Sequence, residues 1–170
     1  MIILISGDKN IGKTTIINKL SQTFECTGII TEEFFCKNER KGFLIRQLNE
    51  KPDENNAIAI MDKNFKPIIN SDIFNKVGSQ MCLKCINDNK KIVLIDEIGV
   101  FESNSFLFLE HLQKLMECGK IVIAVLKNRN SDFLGKLRQK YPVHFITLEN
   151  RDEIFNEIKN EIEGKLNWKK

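Results

Sequence analysis

Residues 7–14 have the sequence GDKNIGKT, which fits the pattern G-x-x-x-x-G-K-[ST] at every required position. An apolar run at residues 2–6 predicts a buried strand before this segment, and a helical pattern follows it to about Thr23. This order is typical of a phosphate-binding loop. Gly7 and Gly12 let main-chain N–H groups approach an anion at the positive end of the helix dipole. We therefore expect the segment to bind the polyphosphate of a nucleotide.

Two side chains at the end of this loop have the chemistry that a triphosphate requires. Lys13 is expected to contact the β- and γ-phosphate oxygens, and the Thr14 hydroxyl is expected to ligate Mg²⁺. The alternative is a chance glycine turn with a solvated lysine, which the complete pattern in its correct context disfavours. The predicted nucleotide-binding residues are Gly7, Asp8, Lys9, Asn10, Ile11, Gly12, Lys13, Thr14 and Thr15.

A second motif lies at residues 91–97, where the apolar strand KIVLI ends in two acids. Asp96 is expected to hold, through water, the Mg²⁺ that Thr14 ligates. Glu97 can accept a hydrogen bond from a water aligned with the γ-phosphorus, which makes it the leading candidate for orienting or deprotonating the nucleophile. The predicted catalytic residues are therefore Lys13 and Glu97, and the predicted metal ligands are Thr14 and Asp96.

Three polar residues follow the next predicted strand, residues 121–126. Lys127 and Arg129 could each contact the γ-phosphate and stabilise charge in the transition state, and Asn128 could sense the γ-phosphate or position water. The alternative for each is an ordinary surface side chain.

Two missing features narrow the class of nucleotide-binding protein. GTPases that select their base carry Asn-Lys-x-Asp after a late strand, but residues 126–130 are LKNRN, so guanine specificity is not expected. Small-molecule kinases usually need an arginine-rich lid, and no such cluster occurs in the sequence. Hydrolysis, with water as the acceptor, fits these features best.

Length and composition suit one domain over residues 1–170, with a mass of 19.7 kDa and 42% hydrophobic residues. The 26 basic and 23 acidic residues are interspersed, so nucleic-acid binding is not expected. No apolar run approaches the ~20 residues that span a bilayer, and the apolar N-terminus is too short for a signal peptide. We expect a cytoplasmic monomer that does not bind membranes.

The cysteines and histidines are interpreted as structural. Cys82 and Cys85 form a C-x-x-C pair, but it lies in a probable helix and has no second ligand pair at zinc-binding spacing, so burial is the favoured interpretation. Neither His111 nor His144 accompanies a nucleophile or a plausible orienting acid in the sequence.

Short apolar strands alternate with amphipathic helices along the chain, which predicts a parallel sheet covered on both faces. The predicted strands are residues 2–6, 28–35, 43–48, 57–61, 92–95, 121–126 and 143–148. The predicted helices are residues 13–23, 71–86 with Ser71 as N-cap, 103–118 with Phe106 inward, 131–140, and a last one containing 154–162. A polar turn at residues 37–42 predicts a hairpin. The fold class is therefore α/β, a P-loop NTPase three-layer sandwich with a mainly parallel sheet and an antiparallel hairpin extension.

The sequence resembles the THEP-type nucleoside-triphosphatases over almost its whole length. The resemblance rests on the phosphate loop, Gly-Ile-Ile-Thr-Glu-Glu at residues 28–33, Gly42-Phe43, Asp-Glu-Ile-Gly at residues 96–99, and Glu102. It implies a single compact P-loop domain and slow, Mg²⁺-dependent hydrolysis of ATP, GTP, CTP and UTP with little base selectivity. Glu32 and Glu33 match the family motif, but no role for them follows from the residues; the hypothesis is that they support the rim of the site.

Two other functions stay open at this point. One is a kinase that acts on a small nucleoside-like or cofactor acceptor, with Glu97 as base for a hydroxyl group. The other is a nucleotide-switched, RNA-associated binding module in which hydrolysis times the release of a partner. For that module, residues 33–48 are the expected partner surface.

Overall fold

The computed structural model describes residues 1–167, so residues 168–170 of the predicted domain lie outside the described residues. Its strands are β1 (Ile2–Ser6), β2 (Cys26–Cys36), β3 (Glu39–Gln47), β4 (Ala57–Met61), β5 (Pro67–Ile69), β6 (Ile92–Ile98), β7 (Ile121–Leu126) and β8 (Val143–Phe145). Its α-helices are α1 (Lys13–Thr23), α2 (Ser71–Ile73), α3 (Ser79–Asn87), α4 (Phe106–Glu117), α5 (Asp132–Lys140) and α6 (Arg151–Asn167). None of the helices within these residues is both long and apolar enough to cross a membrane.

All the strands join one sheet in the order β5-β4-β3-β2-β6-β7-β1-β8. The pairs from β2 to β8 along this order are parallel, whereas β2–β3, β3–β4 and β4–β5 are antiparallel. The predicted parallel core with an antiparallel hairpin extension is therefore confirmed. Because β6, β7 and β1 are neighbours and parallel, the residues that follow them meet at one edge of the sheet.

Two apolar clusters pack on opposite faces of the sheet, because successive strand side chains alternate between the faces. One cluster lies against α3, α4 and α5 and includes Leu4, Val93, Ile95, Val122 and Ala124. The other lies against α1 and α6 and includes Ile3, Ile5, Leu94, Ile123 and Val125. The central parallel strands β1, β6 and β7 are therefore packed against helices on both faces.

The hairpin turn is shorter than predicted. Only Lys37 and Asn38 separate β2 from β3, and both have positive φ angles, 50° and 65°. Residues 39–42, predicted as turn, already belong to β3; Glu39, Arg40 and Gly42 pair with β2, and the register shifts between Arg40 and Gly42. β5 was not predicted, because its three residues are all exposed and show no alternation.

Three predictions about helices and strand ends were wrong in detail. Asn70, not Ser71, is the N-cap residue, and the helix passes through a π-helical segment, Phe74–Gly78, before α3. Residues 101–104 form a separate 3₁₀ turn, and Phe106 at the start of α4 is 79% exposed rather than inward. β8 ends at Phe145, and Leu148 lies in the following loop. The boundaries shift where an end depends on a neighbouring element rather than on periodicity.

Candidate active site

The phosphate loop connects β1 to α1 in a conformation that depends on its glycines. Gly7 and Gly12 have φ angles of 146° and 100°, and Asn10 also lies in the left-handed region at 64°. A Cβ atom on Gly7 would lie 2.5 Å from the carbonyl oxygen of Ile146. No other residue type fits at Gly7 without moving the chain after β8. The two glycines of the motif are therefore required by the backbone conformation of the loop.

Lys13 lies inside this loop as its first helical residue. Its Nζ atom donates hydrogen bonds to the carbonyl oxygens of Gly7, at 2.9 Å, and Asp8. Burial lowers the pKa of Lys13, and the nearby Glu97 and Asp96 carboxylates oppose this shift. The predicted lysine and both predicted acids are thus close enough to interact electrostatically, although they come from separate parts of the chain.

Asp96 is buried, with 4% of its surface exposed, near the end of β6. Burial raises the pKa of Asp96 to about 6, and a hydrogen bond from the Thr14 side chain opposes the shift. A hydroxyl and a carboxylate are the hard oxygen ligands that Mg²⁺ prefers, and a cation beside the buried carboxylate would favour its charged form. Thr14 and Asp96 therefore fit a Mg²⁺ site.

Glu97 forms an ion pair with Lys127, which lies thirty residues later in the sequence. The Lys127 Nζ atom lies 3.0 Å from Oε1 of Glu97, and both side chains are about one-third exposed. The same ammonium group lies 5.4 Å from the centre of the Phe101 ring, which contacts the Phe43 ring edge-on at 5.5 Å. An aromatic contact with the hairpin therefore supports the cation beside Glu97.

The other two residues after β7 are placed differently. Asn128 donates a hydrogen bond of 3.0 Å from Nδ2 to Oδ1 of Asp8, which links this segment to the phosphate loop. Arg129 is exposed at the rim of the cavity. Arg138 of α5 fixes the segment by donating hydrogen bonds to the carbonyl oxygens of Lys127 and Arg129, at 2.7 and 3.0 Å.

Glu102 is a buried acid for which the sequence pattern predicts no role. Both carboxyl oxygens lie 3.2 Å from the backbone nitrogen of Gly99 and accept its hydrogen bond. The pKa of Glu102 is raised to about 7, mainly by burial, and the backbone hydrogen bond from Gly99 opposes the shift. Its position three residues after Gly99, at a strand-to-turn connection, is the sequence feature that could have indicated this backbone contact.

The phosphate loop, Asp96, Glu97, Glu102 and residues 127–129 line one cavity of about 1170 Å³. All the predicted loop residues except Ile11 line it; Ile11 packs against the apolar cluster on the α1 side. The opposite wall includes Glu32 and Arg46, which form a two-point ion pair with distances of 2.9 and 3.0 Å. Glu33 also lines the cavity and pairs with Arg40 at 2.9 Å.

The residues interpreted as structural lie away from this cavity. Cys82 and Cys85 are buried in α3, as expected. His144 differs from expectation in one respect, because its ring nitrogens lie 3.6 and 3.8 Å from the carboxylates of Glu157 and Glu161 on α6. The sequence did not show these acids beside it, since only the packing of α6 against β8 brings them there.

A doubly covered α/β sheet with a phosphate loop after β1 and paired acids on β6, a parallel strand separated from β1 by β7, defines the class of P-loop nucleotide-binding hydrolases. More narrowly, the chain belongs to the NTPase family, whose model matches residues 2–159. The predicted family resemblance and enzyme class are thereby confirmed.

Relatives extend over nearly the whole chain. The nucleoside-triphosphatase THEP1 of Thermotoga sp. (strain RQ2) is 31% identical over 166 residues, 93% of each chain. The THEP1 protein of Methanocaldococcus jannaschii is 29% identical and covers 95% of this chain and 97% of its own. The crystal structure of THEP1 from Aquifex aeolicus superposes with a TM-score of 0.71 at 26% identity, over 93% and 96% of the two chains. A human cancer-related nucleoside triphosphatase, at 20% identity and a TM-score of 0.68, shares the fold.

Proposed function

We propose that this protein is a Mg²⁺-dependent nucleoside-triphosphatase that hydrolyses ATP, GTP, CTP and UTP to the diphosphate and phosphate. The observation that carries the proposal is the convergence of Lys13, Asp96 and Glu97 in one cavity beside the phosphate loop. The names of the THEP1 relatives support the same chemistry. The proposed roles follow from the position of each side chain.

Lys13 and the main-chain amides of the loop bind the triphosphate. The Lys13 ammonium hydrogen-bonds to the loop carbonyls of Gly7 and Asp8, which places it within the loop. Phosphate oxygens offer it stronger, charge-assisted acceptors. Thr14 and Asp96 would hold Mg²⁺, which neutralises charge on the β- and γ-phosphates when bound.

Glu97 orients a water molecule and accepts its proton as the water oxygen bonds to the γ-phosphorus. The bond from the γ-phosphorus to the bridging oxygen breaks, and the nucleoside diphosphate leaves with that oxygen. Lys127 pairs with this acid at 3.0 Å and can stabilise charge on the transferred phosphoryl group. Glu102 holds the turn after Glu97 through Gly99 and so positions the acid.

Low base selectivity is part of the proposal. Residues 126–130 lack the Asn-Lys-x-Asp element that reads guanine. Asn128 is occupied instead with Asp8 of the loop. A site that contacts the phosphates strongly and does not read the base edges would accept all four nucleotides.

The test is phosphate release from ATP, GTP, CTP and UTP, each with Mg²⁺ and with the metal chelated. We expect release from all four nucleotides with Mg²⁺ and none without it. Release from one nucleotide alone would contradict the proposed selectivity, and metal-independent release would contradict the roles of Thr14 and Asp96.

Phosphoryl transfer to a small acceptor is a second candidate. It is favoured by the extent of the cavity, which continues past the phosphate loop to Phe43 and Arg46 on β3 and leaves room for an acceptor. ATP that remains intact until an acceptor is added would support the kinase, whereas phosphate release in buffer with Mg²⁺ alone supports the hydrolase.

A further inference from the structure

Arg151, the first residue of α6, lies against the phosphate loop. A Cβ atom on Gly12 would lie 2.6 Å from Cδ of Arg151 and 2.8 Å from its Nη1 atom. The arginine side chain thus occupies the space that a side chain at position 12 would need. The sequence pattern does not indicate this contact, because the two positions lie 139 apart in the chain (151 − 12).

The guanidinium group of Arg151 is poorly satisfied. Its Nε atom is buried and has no hydrogen-bond partner within residues 1–167. The Asp152 carboxylate lies 3.9 Å from Nε, but it is held at 2.8 Å by Lys19. Leaving a buried donor of a charged group without an acceptor is costly, and no described protein acceptor within hydrogen-bond distance of Nε competes with a ligand for this guanidinium group.

The loop before Arg151 is held in place while it exposes apolar side chains. Asn150 accepts a hydrogen bond of 2.7 Å from the backbone of Thr147 and donates one of 3.1 Å to the carbonyl of Phe145. Within this fixed loop, Leu148 is 70% exposed, and Phe145, which ends β8, is 52% exposed. An exposed apolar side chain three residues before a planar cation, on a loop fixed by hydrogen bonds, suits a flat, weakly polar group.

The position of Arg151 shows which end of a nucleotide it would meet. Glu97, Lys127 and the bond between Asn128 and Asp8 mark the γ-phosphate end of the site. Gly12 lies at the other end of the phosphate loop, where α1 begins. A nucleotide whose γ-phosphate lies near Glu97 would have its nucleoside on the Gly12 side.

We propose that Arg151, with Leu148, forms a nucleoside subsite beside the triphosphate cavity, next to Gly12 of its lining, a proposal that rests on the proposed function. The guanidinium plane stacks on the face of the base, and Leu148 covers part of the same ring system. Every base has a π-face, so stacking gives affinity without reading the base edges. This contact would explain how one site accepts all four nucleotides.

The test is binding rather than turnover, measured by calorimetry with Mg²⁺ and two probes: an ATP analogue with a non-hydrolysable β,γ bond, and inorganic tripolyphosphate. Arg151→Ala should weaken binding of the analogue about tenfold, the size of one lost stacking contact, and leave tripolyphosphate binding unchanged. Leu148→Ala should act in the same direction with a smaller effect. Lys159→Ala is the matched control, because it removes a cation from an ion pair with Glu163 on the same helix, α6, and should affect neither probe.

Arg151→Lys provides a second variant in case the alanine variant does not fold. It keeps the charge but lacks the planar group, so the analogue should again bind more weakly while tripolyphosphate does not. An equal loss for both probes would assign Arg151 to the phosphates and overturn the nucleoside subsite, as would no loss for either. Wild-type protein that binds the analogue in an Arg151-dependent manner but releases no phosphate from ATP would overturn the proposed hydrolysis and leave the subsite standing.

Discussion

The parallel and antiparallel halves of the sheet differ in what surrounds their strands. All six residues of β7 are buried, and the strands beside it are covered by helices on both faces. All three residues of β5 are exposed, including Ile68 at 63%. The candidate catalytic groups lie at or just after the carboxyl ends of β1, β6 and β7, whereas the hairpin contributes the opposite wall of the cavity.

This difference indicates a division of roles. Groups that must hold a phosphate and a water in fixed positions are attached to strands that cannot shift without opening the core. The hairpin acts on the site through side chains instead, since Phe43 supports Phe101 and Phe101 lies beside Lys127. We therefore expect large losses of activity from changes after the parallel strands and small effects from changes at the antiparallel edge.

Lys13→Ala should have the largest effect in the parallel half. The loop would lose its charged donor, so nucleotide binding should weaken and hydrolysis should fall below detection. Calorimetry and phosphate release measure the two effects. Lys114→Ala, at an exposed ion pair on α4, serves as the control. Retained hydrolysis in Lys13→Ala would show that this loop is not the catalytic one.

Glu97→Gln separates catalysis from binding within the same half. Glutamine keeps the size of the side chain but cannot accept a proton, so turnover should fall by ~10²-fold or more while nucleotide affinity is kept. Single-turnover phosphate release together with a binding titration tests this expectation. Wild-type turnover in the variant would exclude Glu97 as the base, and the exposed Glu110→Gln should behave like the wild type.

Leu94→Ala and Ile68→Ala compare the two halves directly. Leu94 is fully buried in β6, so its truncation should reduce the free energy of unfolding by about 2–5 kcal/mol. Ile68 is 63% exposed in β5, and its truncation should change stability by no more than about 0.5 kcal/mol. Urea unfolding of both variants measures the difference. Equal losses would show that the antiparallel edge is packed in solution and would break the comparison.

Glu102→Gln should have a smaller effect that depends on pH. Burial raises the pKa of Glu102 from 4.5 to about 7, so the folded state binds this proton more tightly than the unfolded chain. The resulting stabilisation is present below pH 4.5 and is lost as the pH rises towards 7. The variant should therefore gain stability relative to the wild type over this interval, as measured by urea unfolding across the pH range. A difference that does not vary with pH would contradict the buried, proton-binding state of Glu102.

Much of the fold could be predicted because the parallel strands are continuous apolar runs and their helices are amphipathic. The missed features lie where this pattern stops. β5 has no buried face, Phe106 follows a 3₁₀ turn that changes the helical phase, and β8 ends before Leu148. Each of these boundaries depends on neighbouring elements rather than on the local sequence.

The sequence alone determined the phosphate loop and the acid pair, because both are short motifs whose chemistry depends on residue type and on the local backbone. Gly7, Gly12 and Lys13 are identified by spacing, and Asp96 and Glu97 by the strand that they end. Only the tertiary structure decided that Lys127 pairs with Glu97 and that Arg151 covers Gly12. These contacts join residues far apart in the chain, and they exist only because the order of strands in the sheet and the packing of α6 against α1 bring those residues together.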